Sequence, residues 1–368
     1  MSDTLLVPLA KPKPDFDELL QVLRGEKRAQ RVHFAELFVD GEIVSKVLSD
    51  LLGERPIPSP EHDFEGFWDQ QIRFWLHMGY DYIRVSGGLS IPEIKHRVTN
   101  DTADLSRGER GWVEEGTGVI KSWDDYDAYP WHVVEKMDFA AYEYVSRHLP
   151  DGMKMLVCPS SGVFEISSEY LLGFEGMSMM LYEDPTLVKA VFNHVGQSIL
   201  DFYRNVTTLD NVAGIFQGDD LGFKTSTFLS PTHLRRLVLP WHKRYAALAH
   251  EQGQVYWFHS CGNLARVMDY LIDDVKIDAY NSFQDEIIPV CDFVDAFGHR
   301  VAALGGVDVD SLCRLEEDDL REYVRHIIDH CADKRWALGS GNSVPNYAPV
   351  RNYLVMLDEG LRWQASRA

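Results

Sequence analysis

Eight short runs rich in β-branched and aromatic residues recur along the chain, each leaving through Gly, Ser, Asn or Asp, with helical patterns between them. That alternation is the signature of parallel βα units. The runs are VHFAELF from Val32, YDYIRVS from Tyr80, KMLVCP from Lys154, VAGIFQGDD from Val212, QVYWFHSCG from Gln254, KIDAYNS from Lys276, VAALGGVD from Val301 and RWALGSGN from Arg335. Between them, a segment such as Ser230 to Gly253 opens on Ser-Pro, carries apolar residues at helical spacing and stops at Gly, as a helical segment should. A doubly wound sheet would alternate in a similar way. The absence of GxGxxG after the first run, and the polar residues at nearly every run's end, favour a (β/α)8 TIM barrel.

Residues 1–30 read as an N-terminal helical extension and 31–368 as a single barrel. Asp15 to Leu23 is amphipathic and suited either to plug the barrel bottom or to extend the helical ring. Roughly seventy residues separate the second and third runs. They include GERGWVEEGTGVIKSWDDYDAYPW, which reads as a Gly-turned hairpin and an aromatic loop, and long insertions of this kind often serve as lids.

The composition restricts the partners. With 57 acidic against 36 basic residues the formal net charge is minus 21, and no basic stretch would neutralise a run of phosphates. Nucleic acid is therefore not an expected partner, and the basic segment Arg24 to Arg31 reads as a solvated helix end. The opening residues lack a cationic start followed by an apolar stretch, and no window reaches membrane-span length, so no membrane association and a cytoplasmic location are expected. The five cysteines, Cys158, Cys261, Cys291, Cys313 and Cys331, show no CxxC spacing. Neither a disulfide framework nor a zinc ribbon is indicated. Cys291, Cys313 and Cys331 fall in outer helices as packing residues.

In such a barrel the chemistry gathers at the strand C-termini. The polar residues there are Glu36, Ser86, Cys158, Gln217 with Asp219 and Asp220, His259 with Cys261, Asn281 with Gln284, Asp308, and Ser340 with Asn342. His259-Ser-Cys261 is the sharpest feature: alternate residues leaving a strand point the same way, so an imidazole and a thiolate can share one cation, with zinc the natural candidate. A buried His and Cys closing the strand is the plainer explanation. Asp219 and Asp220 can act as acid or base, bind metal, or hold a cationic substrate, against the plainer role of a helix cap. Glu36, an acid inside an apolar run, requires a partner such as a metal, a His or the substrate. Gln217, Asn281, Gln284, Ser340 and Asn342 are the candidate substrate-binding residues, and Gly339 to Ser343 is a weak candidate anion cradle.

From about Phe164 to Asn352 the chain resembles the uroporphyrinogen decarboxylase superfamily. The resemblance rests on SSEYLLGFEGMSMMLYEDPTLV from Ser167, GDDLGF from Gly218, LSPTHLRRLVLPW from Leu229, FHSCGN from Phe258 and LGGVDV from Leu304. The superfamily contains cofactor-free decarboxylases of porphyrin biosynthesis and zinc methyltransferases that pass a methyl group between a corrinoid protein and a thiol such as coenzyme M. The His-x-Cys element belongs to the second kind. The resemblance thus implies a metal-assisted methyltransferase or demethylase, with His259 and Cys261 as zinc ligands and a cobalamin or corrinoid, free or borne by a partner protein, as methyl carrier. The family's third ligand is a cysteine after the eighth strand, where this chain has Ser340, so an oxygen from Asp219, Asp220, Glu36 or the substrate would complete the site.

The decarboxylase alternative would use Asp219 or Asp220 as acid-base group, with Tyr170 as a substrate contact. It departs from its family too, because VHFAELFVDGE replaces an Arg-rich motif that binds substrate carboxylates. A non-catalytic ligand-binding barrel is the third possibility. By analogy with related barrels a homodimer is expected, with Tyr129 to His132 as a contributing aromatic surface.

Overall fold

A computed structural model of the chain describes residues 4–92, 96–101, 103, 105, 106, 108–113 and 118–365. Seven strands form one parallel sheet in chain order: β1 (Tyr82–Ser86), β2 (Lys154–Cys158), β3 (Val212–Gly218), β4 (Val255–His259), β5 (Ala279–Asn281), β6 (Ala302–Leu304) and β7 (Trp336–Ala337). These are seven of the eight runs read from the sequence.

The first run departs from expectation. It forms isolated parallel bridges, Phe34 to Leu338 and Val39 to Val344, instead of a regular strand. On its other side the Tyr82 hydroxyl, from β1, donates to Glu36 O at 2.7 Å and accepts from Glu36 N at 2.9 Å. A side chain thus takes backbone groups that a neighbouring strand would otherwise satisfy. The sheet is curled and barrel-like, with seven regular strands and the first run laid along its last.

Strand alternation divides the side chains into two sets. Tyr82, Leu156, Phe216, Trp257, Ala279, Ala302, Leu304 and Ala337 face inward. Their neighbours Ile83, Val157, Ile215, Phe258, Tyr280 and Ala303 pack outward beneath the helices. The N-terminal helix α1 (Phe16–Arg24) packs Phe16, Leu19 and Leu23 against the inward set, with Phe16 stacked on Trp257 at 6.0 Å. Each such side chain contributes about 1.5–3 kcal/mol by burial. Of the two sequence options the plug is the one observed, and it leaves the C-terminal ends of the strands as the open side.

The helical segment from Ser230 to Gly253 is built as two helices, Pro231–Leu237 and Leu239–Glu251. Pro240 lacks the N–H needed to continue the first. In the long insertion an antiparallel hairpin does occur, but it pairs His96–Asn100 with Glu109–Val113, so its turn precedes the stretch read as the hairpin. Residues 114–117 of that stretch lie outside the described residues. Its aromatic part is helical, Trp123–Ala128 and Trp131–Val134. Within Tyr129 to His132, Tyr129 is buried and Trp131 stacks on His194 with ring centroids 3.8 Å apart, while His132 is exposed. Among the described residues no helix is long and apolar enough to cross a membrane.

Candidate active site

The ends of β3 and β4 lie side by side, with Gly218 opposite His259 in register. Just beyond them Asp220, His259 and Cys261 offer three ligand atoms that all lie within 4.8 Å of one another. His259 Nε2 is 3.5 Å from Cys261 Sγ and 3.5 Å from Asp220 Oδ1. Around a tetrahedral ion with bonds of about 2.0–2.3 Å, neighbouring ligand atoms sit roughly 3.3–3.8 Å apart. The donor set and its spacing therefore fit zinc, with a fourth position left for a substrate atom. Gly262 makes the turn possible: its φ is +85°, and a Cβ there would lie 2.2 Å from the Gly222 carbonyl carbon.

The surrounding side chains orient the three donors. His259 Nδ1 donates to Asn281 Oδ1 at 2.5 Å, and Asn281 Nδ2 donates in turn to Leu304 O at 2.7 Å. This chain turns Nε2 towards Cys261 and Asp220, as a metal-ligating imidazole requires. Asp220 Oδ1 accepts from Cys261 N at 2.8 Å, and Asn342 Nδ2 donates to Cys261 Sγ at 3.1 Å. Burial alone would lower the His259 pKa, but the hydrogen bond to Asp220 and the adjacent Cys261 push it up to about 10. Burial likewise opposes ionisation of Asp220, yet the bond to His259 holds its carboxyl below the ordinary value. A cation entering here takes the place of a proton on the imidazole.

The remaining candidates divide sharply. Asn342 and Gln284 line a cavity of about 570 Å³ beside the cluster, together with Asp308, Lys224 and Tyr347. Tyr170 is half-buried on the helical segment Ile166–Leu171, its hydroxyl 3.0 Å from Ser161 Oγ. Glu36 and Ser340 do meet, but with each other: Ser340 N and Oγ donate to the Glu36 carboxyl at 2.6 and 2.5 Å. Burial raises the Glu36 pKa to about 8 despite those bonds. Neither residue belongs to the Asp220–His259–Cys261 cluster. Cys158 is buried, its thiol donating to Ser160 O.

Two candidates point elsewhere. Gln217 lies on the outer face of β3, because Phe216 and Gly218 take the inner one. It is fully buried, accepting from the Tyr203 hydroxyl and donating to Gly218 O. Asp219 is also fully buried: its carboxylate accepts from Phe164 N and Glu165 N near 3.0 Å and meets His242 Nε2 at 2.8 Å. It anchors the start of the helical segment after β2, so the cap expected as its plainer role is realised on a distant helix.

Sequence reasoning passed over two residues that the site brings forward. Glu165, half-buried beside the cluster, has its pKa pushed well above the ordinary value, first by burial and then by the carboxylates of Asp220 and Asp219. Arg84 is a cation on the inner face of β1. The signal that singled out Glu36, a charge within an apolar run, applies equally to it.

A curled parallel α/β sheet, closed below by a helix and carrying at its open end three side chains spaced as a metal ion would need them, defines a class of barrel-like α/β proteins. Residues 139–362 match the model of the uroporphyrinogen decarboxylase (URO-D) family, and the chain belongs to that family. Among solved structures, a methyltransferase from Methanosarcina mazei superposes with a TM-score of 0.65 at 12% identity, covering 94% of this chain and 98% of that one. A Listeria monocytogenes protein assigned as a vitamin-B12-independent methionine synthase gives a TM-score of 0.45 at 10% identity, covering 90% and 96%. No curated protein matches by sequence.

Proposed function

We propose that this protein is a metal-assisted methyltransferase or demethylase of the URO-D family, moving a methyl group between a corrinoid and a small acceptor such as a thiol. The observation that carries the reading is the convergence of Asp220, His259 and Cys261 at the open end of the sheet. Family membership and the fold shared with a methyltransferase support it.

Asp220, His259 and Cys261 would hold zinc, the Asp220 carboxylate supplying the third ligand that the cysteine replaced by Ser340 cannot. When bound, zinc supplies a Lewis acid that keeps an acceptor thiol deprotonated at neutral pH. The protein's own groups do the rest. Asn281 fixes the His259 tautomer, and Asn342 donates to the Cys261 sulfur, tempering its negative charge. Glu165, beside Asp220 and with its pKa raised by burial and by the neighbouring carboxylates, is the available acid for a leaving group. Gln284 and Asn342 line the cavity in which substrate is oriented. A corrinoid-bearing partner protein would present its methyl group at the same open end. The metal-free decarboxylase alternative loses Asp219 as its acid-base group, because that carboxylate is buried and fully engaged.

The test is metal content by mass spectrometry on protein purified without chelator, together with methyl transfer from methylcobalamin to a panel of thiols. Near-stoichiometric zinc, lost in His259→Ala and Cys261→Ala along with transfer, is the expected result. Transfer at background in zinc-loaded wild type would overturn the proposal.

A further inference from the structure

Arg84 occupies the inner face of β1, two residues beyond Tyr82 and thus on the same side of the strand. Arg84 is half-buried, with Nε donating to Phe216 O at 3.0 Å and Cζ 5.8 Å from the centre of the Phe216 ring. Both contacts fix its direction and neither supplies a counter-charge. Other sheltered arginines of the chain are paired: Arg31 with Asp81, and Arg321 with both Asp358 and Glu359. Among the described residues no carboxylate lies within ion-pair distance of Arg84, and its two terminal nitrogens make no hydrogen bond. An arginine cannot shed its proton to escape that cost. In a protein of net charge minus 21, a sheltered and unpaired cation is the exception, and such a group is stabilised when an anion reaches it.

The position of the guanidinium bears on the site. It reaches the Phe216 carbonyl on β3, one inward residue below Gly218, which is opposite His259. We infer that Arg84 is an oxyanion-binding subsite beneath the metal cluster, which takes a carboxylate or similar planar or tetrahedral anionic group of the substrate through its free Nη1 and Nη2 atoms. The guanidinium fork suits two-point contact with such a group. The subsite would anchor the far end of a molecule whose reacting atom lies at Asp220, His259 and Cys261. That second role rests on the methyl-transfer reading, whereas anion binding at Arg84 does not.

Two measurements separate them. Crystals of the protein soaked in sodium bromide should show anomalous density against the Arg84 Nη atoms, absent from crystals of Arg84→Met. Absence of that density in the wild type would overturn the anion subsite. In the second, cobalt(II)-loaded protein is titrated with ω-mercapto carboxylates of increasing chain length and with the neutral mercapto alcohols of matching length, reading the thiolate-to-cobalt absorption band. At the best length the anionic thiol should bind at least about tenfold more tightly than its neutral counterpart, the usual gain from a charge-assisted bidentate contact. Arg84→Met should bring that ratio near one, and Arg84→Lys should retain part of it. An equal ratio in wild type and Arg84→Met would overturn the link to the substrate. Bromide at Arg84 with no thiol band at any length would leave the subsite standing and count against thiol methyl transfer itself.

Discussion

Replacing Glu36 with glutamine tests why Ser340 stands outside the metal cluster. The Glu36 carboxyl is fully buried, bonded to Ser340 N and Oγ, and its pKa is raised by burial from 4.5 to about 8. The unfolded chain releases this proton near pH 4.5, whereas the folded protein keeps it until about 8. Between those values the folded state binds more protons, so its stability falls as pH rises, and above pH 8 the loss is constant. At about 1.4 kcal/mol per pH unit, the full window corresponds to about 5 kcal/mol, a ceiling that relaxation of the interior reduces. The Glu36→Gln side chain would keep the shape, accept from Ser340 N and donate to Ser340 Oγ, without titrating. Urea unfolding of both proteins at pH 5 and pH 8.5 should show the variant gaining about 2–4 kcal/mol on the wild type across that interval. Other titrating groups cancel in the comparison. Identical pH dependence in the two proteins would mean that Glu36 ionises normally in the folded state. It would then have a counter-charge, such as a bound cation, and the Glu36–Ser340 lock would be refuted.

Three other substitutions probe the placement of the remaining groups. Asn281→Ala frees the His259 ring and should weaken zinc binding about 10–100-fold in a chelator competition; unchanged affinity would show that the Nδ1 bond does not orient the ligand. Asp219→Asn leaves His242 and two backbone N–H groups without their carboxylate and should cost about 3–5 kcal/mol in urea unfolding. Unchanged stability with lost activity would return Asp219 to the chemistry. Leu19→Ala, in the helix that fills the inner face of the strands, should cost about 2–5 kcal/mol and lower the melting temperature by several degrees. An unchanged melting temperature would contradict the plug.

The sequence by itself determined the periodicity of this protein. Chain-local signals, the β-branched runs, the Ser-Pro helix start at Ser230 and the Gly stops, located all seven regular strands of the sheet, because they depend on residues a few positions apart. His259 and Cys261 were legible for the same reason: two donors leaving one strand are neighbours in any fold that contains it. Tertiary structure decided which polar groups share a space. That Asp220 completes the cluster while its neighbour Asp219 caps the distant segment at Phe164 follows from where β3 ends against its surroundings. Gln217 is a candidate by level alone: a strand end identifies a level in the sheet, whereas the inward or outward choice depends on register, which Phe216 and Gly218 settle. Glu36 demanded a partner on energetic grounds alone, but only the bridge between the first run and the last could supply Ser340 as that partner. The cost of burying a charge is a property of the residue; what relieves it is a property of the fold.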